Sequence, residues 1–79
     1  MIEGLDALTR VDIDVLLAFA KYDMKVHRTA EKAFFHRNTI DSHLSRIHYK
    51  TGLNPKKFYD LVKLIAAVEE MEKNGTLTR

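Results

Sequence analysis

The sequence contains few of the residues that cross-link or interrupt a chain. Its 79 residues include no cysteine, no tryptophan, one proline and three glycines. Disulfides are therefore excluded, and the scarcity of proline and glycine favours a chain built almost entirely of helices. No apolar run approaches the roughly 20 residues that span a bilayer, and no segment resembles a signal peptide. We therefore expect a soluble, cytoplasmic protein without a membrane segment.

The length also limits the organisation of the chain to one domain. We predict a single domain over residues 1–79, with an N-terminal arm (1–8), a helical core (9–73) and a tail (74–79). A chain of this length buries only about 60% of its unfolded surface, so its core is marginal. A second chain is one of the ways in which such small domains are stabilised.

The net charge of +2 conceals an uneven distribution. Residues 1–24 carry five acidic side chains against two basic ones. Residues 25–50 carry six lysines and arginines against two acidic residues, together with all four histidines. The middle third is therefore the electropositive part of the chain, to which a polyanion would be drawn.

Local signals divide the core into helices. Thr9, followed three residues later by Asp12, forms an approximate capping box and predicts that helix 1 begins near Thr9. Helix 1 has a broad apolar face, and we interpret it as scaffold. After a break at 22–25, small and apolar residues predict helix 2 over 26–33. Two phenylalanines at 34–35 fall in the next turn, where at least one should fill the core. Asn54 before Pro55 looks like an N-cap and first helical position, which predicts helix 4 over 55–73.

Helix 3 is predicted over about 36–50, with His36 near its N-cap and Gly52 just beyond its end. Ile40, Leu44 and Ile47 recur at i, i+4 and i+7, which is one apolar stripe of an amphipathic helix. The other side carries short polar and basic side chains that can form hydrogen bonds. Such a surface suits the major groove of DNA, as in the second helix of a helix-turn-helix unit. A solvated amphipathic helix in a small bundle would show the same pattern.

Helix 4 carries apolar residues around roughly two-thirds of its circumference, whereas one small core needs about a third. The surplus favours contact with a second chain, although a deeply buried helix of a four-helix bundle would also explain it. The residues that we predict at a dimer interface are Phe58, Leu61, Val62, Ile65 and Val68.

Catalytic and metal sites find no support in the pattern. Asp41, Ser42 and His43 name a hydrolase triad by type, but consecutive helical residues diverge by about 100° and cannot converge on one atom. The histidines have no i, i+4 pairing and no HExxH motif, and no glycine-rich phosphate loop is present. We therefore predict no enzyme, no metal and no cofactor.

Three stretches of the chain resemble a known family. The stretches "KVHRTAEKAFFHRNTI", "HLSRI" and "TGLNPKKFYDLVKLI" resemble the C-terminal helix-turn-helix of PucR-type regulators, which activate purine and sugar-diacid catabolism. The resemblance runs from about Asp12 to Val68, and "HRNTI" and "TGL" are its most specific pieces. It implies a four-helix DNA-binding domain in which Arg37, Thr39 and Arg46 contact DNA. A second resemblance, through "NTIDSHLSRIHYKTGL", is to the LuxR-type DNA-binding domain, whose helix 4 makes dimer contacts.

These observations predict an all-α, four-helix helix-turn-helix domain of a bacterial transcription regulator, binding double-stranded DNA as a homodimer. Helix 3 would enter the major groove, while basic residues would hold the phosphates. The predicted DNA-binding residues are Arg28, Lys32, His36, Arg37, Asn38, Thr39, Asp41, Ser42, Ser45, Arg46 and Lys50. The alternative is a helical protein-interaction module that has kept the fold and lost DNA binding.

Overall fold

A computed structural model describes residues 2–75 and consists of four α-helices preceded by a short 3-10 turn. The turn covers Leu5–Ala7, and the helices are α1 (Arg10–Lys21), α2 (Val26–Ala33), α3 (Arg37–Thr51) and α4 (Phe58–Lys73). The predicted all-α class is confirmed, and no residue between 2 and 75 lies in a strand. No helix of this described part has the length and apolarity needed to cross a bilayer.

The beginning of α1 is fixed by the capping box expected from the sequence. The backbone N–H of Asp12 donates to Thr9 Oγ1 over 3.1 Å, and the N–H of Thr9 donates to Asp12 Oδ2 over 3.0 Å. At the other end, Asp23 and Met24 both have positive φ angles, of 63° and 61°. The chain reverses here without a glycine, which explains why the turn was hard to recognise in the sequence.

The turn between α2 and α3 places its two phenylalanines differently. Phe34 ends α2 in the left-handed conformation, with φ 61°, and its side chain is almost fully exposed. Phe35 packs against the core, and its N–H donates to the carbonyl of Ala30 over 2.9 Å. The prediction that at least one of them fills the core is confirmed.

The third helix has the expected ends. His36 is its N-cap, and Gly52 closes it in the left-handed conformation with φ 77°. Ile40, Leu44 and Ile47 are buried, so the apolar stripe seen in the sequence is the face that α3 turns inward.

The start of α4 corrects the prediction that this helix begins at Pro55. Asn54 Oδ1 accepts a hydrogen bond from the N–H of Lys56, and the carbonyl of Asn54 accepts one from Lys57. Asparagine thus closes a separate turn over 54–57, because its side chain can bond its own backbone two residues ahead. The helix then begins at Phe58, with Lys57 as its N-cap.

The core forms around α1, which packs against each of the other three helices. Its buried Val15, Leu16 and Phe19 meet the apolar stripe of α3 and the inner face of α4. The arm joins this core through Leu5 and Leu8, which are also buried. The predicted tail begins at Asn74 and Gly75, and the rest of it, 76–79, lies outside the described residues, as does Met1 of the arm.

Candidate nucleic-acid interface

Helices α2 and α3 pack against each other and are joined by a three-residue turn, residues 34–36. Two helices joined by so short a turn form a helix-turn-helix unit. The unit rests on α1, which contacts both helices. This arrangement leaves one long face of α3 open to a ligand.

That face is a row of four side chains, which we call the outward row: Asn38, Ser42, Ser45 and Tyr49. At 100° per residue these positions lie about opposite the buried stripe of α3. All four are exposed, and Tyr49 retains 91% of its accessible surface. Tyr49 was absent from our sequence prediction, although its spacing of i+11 from Asn38 places it on the same side of the helix.

Three cationic side chains of the helix-turn-helix unit are free to bind an anion. Arg28 and Lys32 lie on α2, and Arg37 lies in the first turn of α3. All three are exposed and form no ion pair within residues 2–75. His36, the N-cap of α3, is also exposed.

The other edge of α3 is tied to α1 by a buried carboxylate. Asp12 has no exposed surface, and His43 Nδ1 donates to its Oδ1 over 2.5 Å. Arg46 Nε lies 3.4 Å from the same oxygen, and Lys50 Nζ lies 3.9 Å from Oδ2. We call these four residues the Asp12 cluster. The sequence predicts Asp12 only as part of the helix cap, because nothing in local spacing connects it to residues more than 30 positions away.

The pKa of Asp12 reflects two opposing effects. Burial raises the pKa of the carboxyl by disfavouring its charged form. The hydrogen bonds from His43 and from Thr9, together with the charge of Arg46, lower it by more. The pKa therefore lies below its usual 3.8, and Asp12 is ionised at neutral pH.

The cluster changes the interpretation of two predicted phosphate contacts. Lys50 Nζ donates to the carbonyl of Ala7 over 2.9 Å, so this ammonium ties the arm to α3. The contact of Lys50 with the DNA backbone stays a prediction, and in the free domain this side chain holds the arm and faces Asp12. Arg46 can contact both Asp12 and a phosphate, because its Nε faces Asp12 while its side chain is about half exposed.

The acidic residue predicted on α3 is also compensated. Asp41 Oδ1 lies 3.0 Å from Lys56 Nζ, and both side chains are about half exposed. The ion pair reduces the repulsion that this carboxylate would exert on a phosphate. Thr39, another predicted contact, is half-buried between the outward row and the core.

The exposed side of α4 is apolar but smaller than predicted. Phe58 and Val62 keep 63% and 48% of their surface, and Ile65 is half-buried beside them. We call these three residues the α4 flank. Leu61 and Val68 were predicted at a dimer interface, but they are 4% and 0% exposed. That part of the prediction is wrong, because both side chains pack in the core of their own chain.

The part of the chain that the structure describes holds no group of three or more potential metal ligands. The candidate binding features of the described residues are therefore the outward row, the free cations and the α4 flank. The first two are what a helix-turn-helix domain presents to DNA.

Comparison with known proteins supports this description at the level of the family. The model of the PucR C-terminal helix-turn-helix domain matches residues 12–69, which is well over half of the chain. The match supports the PucR resemblance and lends no support to the LuxR one. Searches of the curated proteins and of the solved structures found no match. The chain therefore belongs to the family of PucR C-terminal helix-turn-helix domains, and this membership implies DNA binding and a part in transcription regulation.

Proposed function

We propose that this domain is the sequence-specific DNA-binding domain of a bacterial, cytoplasmic transcription regulator, with α3 lying in the major groove. The observation that carries the proposal is the exposed polar face of α3, the outward row, on a helix whose opposite face is fully packed. A rigid helix with short hydrogen-bonding side chains can approach base edges closely.

Phosphate contacts come from the cations beside that face. Arg28 and Lys32 on α2 are suited to the DNA backbone, because the first helix of such a unit crosses the phosphates. Arg37 and the exposed half of Arg46 lie on α3, on either side of the outward row. These contacts position the domain and supply the salt-dependent part of the affinity.

The α4 flank supports a homodimer. Residues 56–65 carry Lys56, Lys57 and Lys63 against one acidic residue, Asp60, whereas residues 66–73 carry three glutamates against one lysine. Two copies of α4 packed antiparallel would bring each basic half against the acidic half of the other. A two-fold pair of this kind addresses half-sites about 34–36 Å apart, one turn of DNA.

The test of DNA binding is association with random-sequence duplexes at two salt concentrations, followed by selection of enriched sites. We expect salt-sensitive binding and an enriched, two-fold symmetric site. Binding without enrichment would contradict sequence specificity, and no binding at low salt would overturn the proposal.

Two substitutions test the phosphate contacts. Arg37→Ala and Lys32→Ala should each weaken binding to all sequences alike and flatten the salt dependence, because each removes one phosphate contact. An unchanged affinity of Arg37→Ala would exclude a DNA contact for Arg37.

The dimer has its own test in sedimentation or light scattering. Val62→Lys should dissociate the pair, since it places a cation in the centre of the α4 flank. Ala66→Lys, one turn further along α4, is the matched control at the edge of this surface and should have a smaller effect. A wild-type chain that stays monomeric at high concentration would contradict the dimer.

A protein-interaction module without DNA binding is the second candidate, and the exposed α4 flank favours it. The same experiments distinguish the two: this candidate predicts self-association or another protein contact through Val62, with no DNA binding at any salt concentration.

A further inference from the structure

The outward row contains no charged side chain. Asn38, Ser42, Ser45 and Tyr49 occupy the centre of the exposed face, and the basic residues of α3 lie to either side of it. Arg46 and Lys50 face the buried carboxylate of Asp12. Arg37 lies about 100° round the helix from Asn38, on the edge that also carries Asp41.

This distribution limits which bases the helix can read. Guanine is most often recognised by arginine or lysine, which bonds its O6 and N7 atoms together. The outward row offers no such group. Asparagine instead matches adenine, accepting from N6 and donating to N7, and serine hydroxyls bond several bases.

Tyr49 adds an apolar contact at the far end of the row. Its ring is 91% exposed, an unfavourable state for an aromatic side chain in water. In the major groove the apolar group available to such a ring is the methyl group of thymine. Eleven residues at 1.5 Å each separate Tyr49 from Asn38, about 16 Å or five base-pair steps.

We propose that the outward row reads adenine–thymine base pairs, with Asn38 on an adenine and Tyr49 on a thymine methyl within about five base pairs. This inference rests on the proposed function, since it specifies the sequence class that the same face of α3 recognises. Arg37 then contacts phosphate, and the Asp12 cluster keeps the remaining basic residues of α3 away from the bases.

Base analogues in the selected site test each contact separately. Replacing single adenines with 7-deazaadenine removes the N7 acceptor, and replacing single thymines with uracil removes the methyl group. For the wild-type chain we expect about a tenfold loss at one adenine and a few-fold loss at one thymine of each half-site.

Each of two alanine variants should abolish the sensitivity to one of the two base analogues. Asn38→Ala should bind the natural and the 7-deazaadenine sites equally, and Tyr49→Ala should bind the thymine and uracil sites equally. Tyr59→Ala is the matched control, because Tyr59 is another largely exposed tyrosine, at 79%, and lies on α4; this variant should keep both sensitivities. All three positions are exposed, and unfolding curves check that the variants fold.

The outcomes distinguish the inference from the function on which it rests. Selected sites made of guanine and cytosine, with sensitivity to 7-deazaguanine, would overturn the inference and leave DNA binding intact. If Asn38→Ala still distinguishes the 7-deazaadenine site, the adenine contact is overturned. If Tyr49→Ala still distinguishes the uracil site, the thymine contact is overturned. Failure of the wild-type chain to bind any duplex at low salt would overturn the proposed function itself.

Discussion

Helix α1 meets α3 through a buried carboxylate in addition to apolar packing, whereas it meets α4 through aliphatic and aromatic side chains. The first contact is directional, since Asp12 must lie within hydrogen-bond distance of His43. The second depends on packing around Leu64 and Val68, which tolerates small shifts of the helix.

The difference matches the roles that we propose for the two helices. A helix that reads bases must be held in one orientation, and a buried, hydrogen-bonded charge penalises every other orientation. The α4 helix needs only its inner face for the core, and its flank stays available for a second chain. Four experiments test this difference between the two contacts of α1.

The largest effect should come from removing the carboxylate. Asp12→Ala deletes the partner of His43 and Thr9 at a fully buried position, so we expect a loss of about 3–5 kcal/mol in the free energy of unfolding. Denaturant unfolding measures it. Asp14→Ala, two residues away in an exposed pair with Arg10, is the matched control and should cost less than about 1 kcal/mol. Equal losses in the two variants would remove the special role of Asp12.

A smaller loss of stability should follow from displacing the arm, which Lys50 of α3 holds through Ala7. A Cβ at Gly4, whose φ is +81°, would lie 1.9 Å from the carbonyl oxygen of Lys50. Gly4→Ala should therefore detach the arm and destabilise the domain by about 2 kcal/mol in thermal unfolding. Gly75→Ala has a positive φ but open space around it, so it should show the backbone strain alone. If both variants behave alike, the arm contributes little to stability.

Lowering the pH should progressively reduce the stability that the α1–α3 contact contributes through Asp12. Because the folded pKa of Asp12 lies below 3.8, its contribution is complete above that pH. The contribution is lost as the pH falls through the lower, folded value. The loss should be smaller than that of truncation, since a protonated carboxyl keeps part of its hydrogen bonding. Asp12→Asn should flatten this part of the stability–pH curve, and an unchanged curve would contradict the assignment.

The smallest effect on the free energy of unfolding should come from a substitution on the α4 flank. Val62→Ser on the α4 flank should change the unfolding free energy of the monomer by less than about 0.5 kcal/mol, because its side chain is about half exposed. Leu64→Ala on the same helix, at a buried position, should cost about 2–5 kcal/mol. Dilute samples are required, so that association does not contribute. A large loss for Val62→Ser would place the flank in the core.

The features predicted correctly from the sequence are those with local causes. Thr9 and Asp12 are three residues apart, Gly52 directly follows its helix, and the stripe from Ile40 to Ile47 repeats at helical spacing. Asn54 shows the limit of local signals, because one side chain can cap a helix or close a turn. The sequence alone did not decide between these hydrogen bonds.

Contacts between distant residues were the ones missed. The bond between Asp12 and His43 joins positions 31 apart, and it depends on how α1 and α3 cross. In the same way, Leu61 and Val68 look like surface candidates until α4 is placed against α1. Periodicity shows how much of a helix is apolar, but only the packing decides which part faces its own chain.

The two carboxylate oxygens of Asp12 accept hydrogen bonds from different elements, and this couples the local opening of those elements. Oδ2 closes the cap of α1 with Thr9, while Oδ1 receives His43 from α3. The first turn of a helix ordinarily frays by itself, with little free energy. Here fraying also breaks the contact with α3, so the two events become one cooperative opening. The amide hydrogens of Asp12 and Ile13, which donate to Thr9, should then exchange with solvent as slowly as those in the middle of α3.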